Sequence, residues 1–175
     1  MRRLCSNVAM ILDGFIARPD GSFDWIFEAS TIDFAALFAR FDTLVMGKKT
    51  FDVMASQPPG GPFDSMLKIV VTHHVQLKET SLTKFVHKDI THYVSRLKGE
   101  PGRDIWLFGG GMLFRQLLDA GLVDGVEVAI MPILLGKGIP MVALGEQAHL
   151  LRLGECERLA SGICMLKYEV VNGRS

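Results

Sequence analysis

Ile105-Trp-Leu-Phe-Gly-Gly-Gly-Met-Leu-Phe-Arg-Gln-Leu-Leu118 decides how this chain is read. Its first four residues have the continuous apolar character of a buried strand, while Leu113, Phe114, Leu117 and Leu118 recur at helical spacing. Between them stand Gly109, Gly110 and Gly111, so a strand passes into a helix through bare backbone. The first N–H groups of a helix lack intrahelical partners and lie at the positive end of its dipole. With no side chains in the way, such a junction lets a pyrophosphate approach the backbone. Glycine-rich turns serve many folds, so the neighbouring segments decide what this one does.

Upstream, residues 4–12 read as a buried strand followed by a turn-rich loop with Asp13-Gly14 and Asp20-Gly21. Residues 31–40 are expected to be helical, with Phe34, Leu37, Phe38 and Phe41 as the apolar stripe. Residues 43–46 form a short strand, and a helix over 48–55 opens directly after Gly47. Gln57-Pro-Pro-Gly-Gly-Pro is a loop. Strands are expected over 67–72 and 83–86. Ile90, Tyr93, Val94 and Leu97 mark an amphipathic helix that ends at Gly99. Downstream of the glycines, Gly121 caps the helix. Val126, Val128 and Ile130 then alternate with Glu127 and Ala129, and residues 150–159 pair with 164–170 as an antiparallel hairpin. The order describes an α/β protein with a mostly parallel central sheet, helices on both faces and a C-terminal antiparallel hairpin.

The 175 residues, 49% hydrophobic, suit one domain over 1–175. Nineteen basic side chains balance nineteen acidic ones. No global field draws the chain to nucleic acid or to an anionic membrane, so any phosphate binding is local. Cys5, Cys156 and Cys164 are odd in number and lack a CxxC, which argues for reduced thiols in the cytoplasm and against a zinc site. Arg2, Arg3 and the apolar residues 8–12 start like a signal peptide, but Asp13 breaks the run too early. No stretch is long enough to span a bilayer.

The chain resembles the dihydrofolate reductase-like superfamily, and within it the group built on the C-terminal reductase domain of the riboflavin-biosynthesis deaminase/reductase. The resemblance rests on Met10-Ile-Leu-Asp-Gly-Phe-Ile-Ala, Thr43-Leu-Val-Met-Gly-Lys-Lys-Thr-Phe, Lys68-Ile-Val-Val-Thr, Leu107-Phe-Gly-Gly-Gly, Leu122-Val-Asp-Gly-Val-Glu-Val and Pro132-Ile-Leu-Leu-Gly-Lys-Gly. It implies a dihydrofolate reductase-like single domain, a homodimer through the terminal strands, and NADPH lying across the carboxyl edge of the sheet. It also implies hydride transfer to a C=N or C=O of a small heterocycle, a pterin or a ribosylamino-pyrimidine. No stretch carries the His/Cys zinc signature of a deaminase half.

By the same resemblance, Gly47, Lys48, Lys49 and Thr50 form a strand-to-helix turn on the dinucleotide's phosphates. Two lysines at the positive end of a helix are themselves a reason to expect an anion there. Thr72 and His73 would meet the adenosine end, although a polar strand end explains them as well. Gly109, Gly110 and Gly111 would contact the pyrophosphate, with Met112 opening the helix and Phe108 against the nicotinamide end. The family implies a cis bond between the first two glycines. Ala9 and Ile16 would pack on the nicotinamide, Ala9 being equally ordinary in a central strand. Asp13 and Trp25 fall to the substrate pocket, a buried structural Trp being the competing account.

The catalytic carboxylate is the open point. Asp33 lies nearest the place where dihydrofolate reductases hold the pterin, though gapless alignment puts Thr31 there. An acidic residue in a first helical turn is also stabilised by the dipole alone. A nucleotide-binding or sensing protein without turnover is therefore the alternative to a reductase, and the glycine and lysine turns disfavour a flavin enzyme. His87, His92 and His149 have no partner at metal-ligand spacing, and no metal is expected.

Overall fold

The computed structural model describes residues 1–26 and 32–171. Its elements, in chain order, are β1 (Leu4–Ile11), β2 (Phe15–Ala17), α1 (Phe34–Ala39), β3 (Phe41–Gly47), α2 (Lys48–Ala55), β4 (Leu67–Val71) and β5 (Thr83–Val86). Then follow α3 (Ile90–Gly99), β6 (Asp104–Gly109), α4 (Gly111–Asp119), β7 (Gly125–Met131), β8 (Ile139–Pro140), β9 (Leu151–Arg158) and β10 (Cys164–Val170). Eight strands form one sheet in the order β5-β4-β3-β6-β1-β7-β10-β9. Every pairing from β5 to β7 is parallel, and β10 is antiparallel to both β7 and β9.

Side-chain alternation divides the core into layers. Leu44 and Met46 of β3 pack with Phe41, Val70 and Trp106 beneath α1 and α2, which contribute Leu37, Phe38, Phe51 and Met54. Val45 points the other way, joining Ile69, Ile105 and Leu107 beneath Val94, Leu97, Phe114 and Leu117 of α3 and α4. Helices therefore cover both faces, which is why these strands are continuous apolar runs in the sequence. A third cluster of Ile11, Trp25, Met131, Leu159 and Ile163 closes the ends of β1 and β7.

Three differences from the sequence reading have physical causes. The helix expected over 31–40 is α1, six residues long; Phe34 is 48% exposed, and Phe41 is fully buried as the first residue of β3. Thr31 lies outside the described residues. Helical spacing at Phe41 is thus a coincidence between a helix stripe and the strand that follows it.

The loop after β1 also contains β2, which pairs with β8 at Phe15↔Pro140 and Ala17↔Ile139. A side chain at Gly138 would run into the carbonyl of Ala17, so that glycine permits the close pairing. Finally, the apolar run 130–135 is not one exposed face. Met131, Ile133 and Leu135 turn into the third cluster, leaving Leu134 exposed.

Candidate active site

Because β3, β4, β5 and β6 are parallel, their carboxyl ends lie along one edge of the sheet, with Met46 opposite Gly109, Gly47 opposite Val71, and Val71 opposite Val86. Following β3 and β6, which are neighbours, α2 and α4 leave to opposite faces. That divergence opens a crevice at the strand ends, the position at which open α/β sheets bind ligands.

The helix starts differ in a telling way. α1 and α3 are capped by Asp33 and Asp89, whose carboxylates accept from Ala36 N and His92 N. α2 and α4 begin at Gly47 and Gly110, with no capping side chain. Their first N–H groups are left for something else to satisfy. A Cβ on Gly47 would meet nothing within 4 Å, so the approach is open. Thr50 stands between the two turns: a Cβ on Gly109 would lie 3.6 Å from its Oγ1, and one on Gly110 would lie 3.9 Å away. The hydroxyl of Thr50, in the first turn of α2, therefore stands against the glycine turn that follows β6.

The three glycines do different work. Gly109 has φ +143°, a conformation that a side chain resists. Gly110 has an ordinary φ of −43° and open space above it. Gly111 is a packing glycine: a Cβ there would sit 2.9 Å from the Pro140 carbonyl oxygen, and its own carbonyl accepts from Ala143 N at 3.1 Å. This packing occupies the Cβ position and the carbonyl of Gly111 and leaves its N–H, the first of α4, facing the crevice with the other uncapped donors. No peptide bond is cis among the described residues, so the cis bond implied by resemblance is absent.

The RibD C-terminal domain family matches residues 2–165. This chain belongs to that family. The Bacillus subtilis (strain 168) protein YyaP, itself uncharacterized, is 29% identical over 95% of this chain and 94% of its own length. A Shewanella sp. PV-4 protein whose name assigns it to riboflavin biosynthesis shares the fold with TM-score 0.81, 24% identity, and coverage of 97% of this chain and 99% of that one. Dihydrofolate reductase from Enterococcus faecalis, complexed with NADP(H) and RAB-propyl, superposes with TM-score 0.62 at 15% identity, covering 97% of each chain. The fold is dihydrofolate reductase-like.

In this RibD C-terminal domain protein the other expected residues are spread more widely. Lys48 Nζ is tied to Asp52 Oδ1 at 2.5 Å within α2, whereas Lys49 is exposed and has no ion-pair partner among the described residues. Thr72 is buried, and its Oγ1 accepts from His74 N at 3.1 Å, so its hydroxyl closes a turn; His73 is exposed beside it. His87, which the sequence reading set aside, reaches this edge: its Nδ1 lies 3.1 Å from the Thr72 carbonyl oxygen. The available signal was its place one residue beyond β5, level with Thr72 one residue beyond β4.

Ile16 lines a small cavity with Val8, Gly109, Gly110 and Phe108. Phe108 is also wedged edge-on against Phe63 and Trp106, at ring distances of 4.9 and 5.4 Å. Ala9 belongs to the opposite face from Val8, in the cluster of Ile11, Trp25 and Met131, so Ala9 and Ile16 do not share one wall. Met112, 81% exposed, lies in the first turn of α4.

The carboxylates also separate. Asp33 is exposed, and its Oδ1 accepts from Ala36 N at 2.9 Å, so it caps α1. Asp13 Oδ2 accepts from Leu135 N at 3.0 Å and Gly136 N at 2.7 Å, binding the loop after β1 to that after β7. Its Oδ1 is buried without a partner, as is Nε1 of Trp25, which is 6% exposed. Trp25 is thus a core residue with an unused donor. Among the described residues no group of His, Cys, Asp or Glu could hold a metal ion, and burial pushes the Cys5 thiol up to about 11, keeping it unreactive.

Proposed function

We propose that this protein is a cytoplasmic, single-domain reductase that uses NADPH to reduce a C=N or C=O bond of a small heterocycle of the pterin or ribosylamino-pyrimidine class. The observation that carries this reading is the pair of glycine-led, uncapped helix starts flanking Thr50. Their free N–H groups suit the pyrophosphate of a dinucleotide, and Lys49 adds a cation. When bound, the cofactor supplies the hydride, and the protein supplies orientation and a fitted electrostatic environment. Gly47, Thr50, Gly109 and Gly110 would hold the phosphates. Ile16 and Phe108 would border the nicotinamide end. Asp13 and Trp25 would lie on the substrate side, where β1 and β7 end.

NADPH should raise the melting temperature, since binding to the folded state alone contributes roughly 2.7 kcal/mol at a hundredfold excess over Kd. NADPH oxidation in the presence of a panel of pterins and aminopyrimidines tests turnover. A second reading, a dinucleotide-binding sensor, is favoured by the capping of α1 by Asp33, which turns one oxygen of the expected acid to the backbone N–H of Ala36. A thermal shift without oxidation of NADPH by any of the panel would select the sensor.

We also propose a homodimer. All eight residues of β9 are exposed on an unpaired sheet edge, and a cavity of about 410 Å³ lined by Val126, Val128, Ile130, Leu166 and Leu151 lies beside it. A second copy is the occupant that such an edge and its apolar surroundings suit.

A further inference from the structure

We propose that the cavity between α4, β7 and β10 binds a small, uncharged, mainly apolar molecule at a site separate from the crevice. The cavity originates in the strand pattern. Val126 and Val128 of β7 and Leu166 of β10 turn to the face of the sheet on which α4 packs. Such alternation prepares a strand face for burial. The four helices all precede β7, however, and among the described residues none follows to cover these strands. Met141 and Val142, beyond β8, complete the lining with Phe114 of α4.

The segment that closes the cavity is pinned, so the space is held open. Ala143 N donates to the Gly111 carbonyl at 3.1 Å, and an Arg115 N–H donates to the Gln147 carbonyl at 2.7 Å. His149 Nε2 donates to Asp119 Oδ1, also at 2.7 Å. Gly111, Arg115 and Asp119 recur every fourth residue, so one stripe of α4 carries all three attachments. The volume of about 410 Å³ falls in the roughly 300–1,000 Å³ range of small-molecule pockets and exceeds what close packing leaves behind.

Charge decides the class of ligand. Arg115 and His149 are the basic side chains of the lining, and Asp119 binds both. The His149 and Arg115 hydrogen bonds hold the Asp119 carboxyl below its usual range, so it is ionised near neutrality and answers the Arg115 charge. A charged ligand would find no free counter-ion here, whereas Gln147 and Tyr168 can meet one hydroxyl or amide. The remaining lining suits apolar surface leaving water. A second copy paired along β9 extends the sheet in its own plane and leaves this face of β7 and β10 accessible. Met141 and Phe114 form the wall between this cavity and the smaller one at Gly109 and Gly110.

Fluorescence titration with the uncharged dye N-phenylnaphthylamine and with its sulfonated analogue tests the site and its chemistry together. The wild-type protein should bind one uncharged dye per chain, and the sulfonated dye about tenfold more weakly or worse. Val128→Phe and Leu166→Phe, at register partners facing the cavity, should each weaken the uncharged dye by about tenfold or more, with a native circular dichroism spectrum. Gly110→Val, which alters the crevice alone, should bind it as the wild type does. No saturable binding, equal binding of the two dyes, undiminished binding by a folded filling variant, or loss in Gly110→Val would overturn the proposal. A wild-type crystal grown with the uncharged dye decides without any variant. Density against Val128, Leu166 and Met141 supports the site; density elsewhere, or a second copy's side chains filling the space, overturns it. Each of these results is independent of whether the crevice binds NADPH.

Discussion

Gly110 and Gly111 are adjacent and identical in sequence, yet a methyl group on each would meet different surroundings. At Gly110 it would find only Thr50 Oγ1 at 3.9 Å, whereas at Gly111 it would press on Pro140 O at 2.9 Å and Ala143 N at 3.2 Å. Gly110→Ala should leave the melting temperature nearly unchanged, and Gly111→Ala should cost roughly 1–3 kcal/mol, typical of overpacking, in denaturant unfolding. Equal stability of the two would contradict the assignment of separate roles. Sequence could show that three glycines were there but not which was needed for packing, because the partner segment, 140–143, is nearly thirty residues away.

Glu127 carries a second prediction at this scale. Burial alone would raise its carboxyl, but the Arg40 and Asn7 hydrogen bonds outweigh burial and hold it below the ordinary value of 4.5. A lowered folded-state value means that the stabilisation is present above about pH 4.5 and is lost as the pH falls through the folded value. Glu127→Gln should therefore destabilise the protein by roughly 1–3 kcal/mol at pH 7. It should also flatten the acid limb of the stability profile; an unchanged acid limb would refute that coupling. In the sequence Glu127 looks like the polar half of an alternating strand. Its burial follows from Arg40, 87 residues earlier, which only the fold brings within 2.5 Å.

At the scale of elements, the choice of helix cap separates structure from function. Gly47 has cap geometry, φ −77° and ψ 159°, with open space where a side chain would stand. Gly47→Asp should cap α2 and stabilise the fold by a few tenths of a kcal/mol. It should also weaken NADPH binding more than tenfold, because its carboxylate would occupy the N–H groups and repel the phosphates. Tighter NADPH binding in that variant would contradict an anion site at α2. The boundaries of α2 and β5 could be read directly, since Gly47 and the short apolar runs mark them without ambiguity. Those of α1 could not, because Phe41 continues the helical spacing while belonging to the next strand. The β2–β8 pair was also illegible: three residues and two residues are too few for alternation to register.

For the whole molecule, the parallel half of the sheet carries the crevice and the antiparallel half carries the uncovered surface. Leu153 is 52% exposed on β9, with the cavity beside that strand rimmed by Arg115 and His149, both bound to Asp119 at 2.8 and 2.7 Å. Leu153→Lys should yield a folded monomer in light scattering if the β9 edge is the dimer contact, and a dimer surviving that change would place the contact elsewhere. The parallel order was legible from the alternation of strand and helix patterns. Of the crevice, the glycines, Thr50, Ile16 and Phe108 could be named from sequence, whereas His87 could not, because its place depends on which strands become neighbours.

Isothermal titration of the wild-type protein and of Gly110→Val with NADPH tests the central claim most directly. The account predicts saturable one-site binding to the wild type and none to the variant, whose melting temperature alone stays close to that of the wild type. Wild-type protein that gives no heat with NADPH, or a folded Gly110→Val that binds it equally well, would contradict the claim that the glycine-led helix starts hold the dinucleotide.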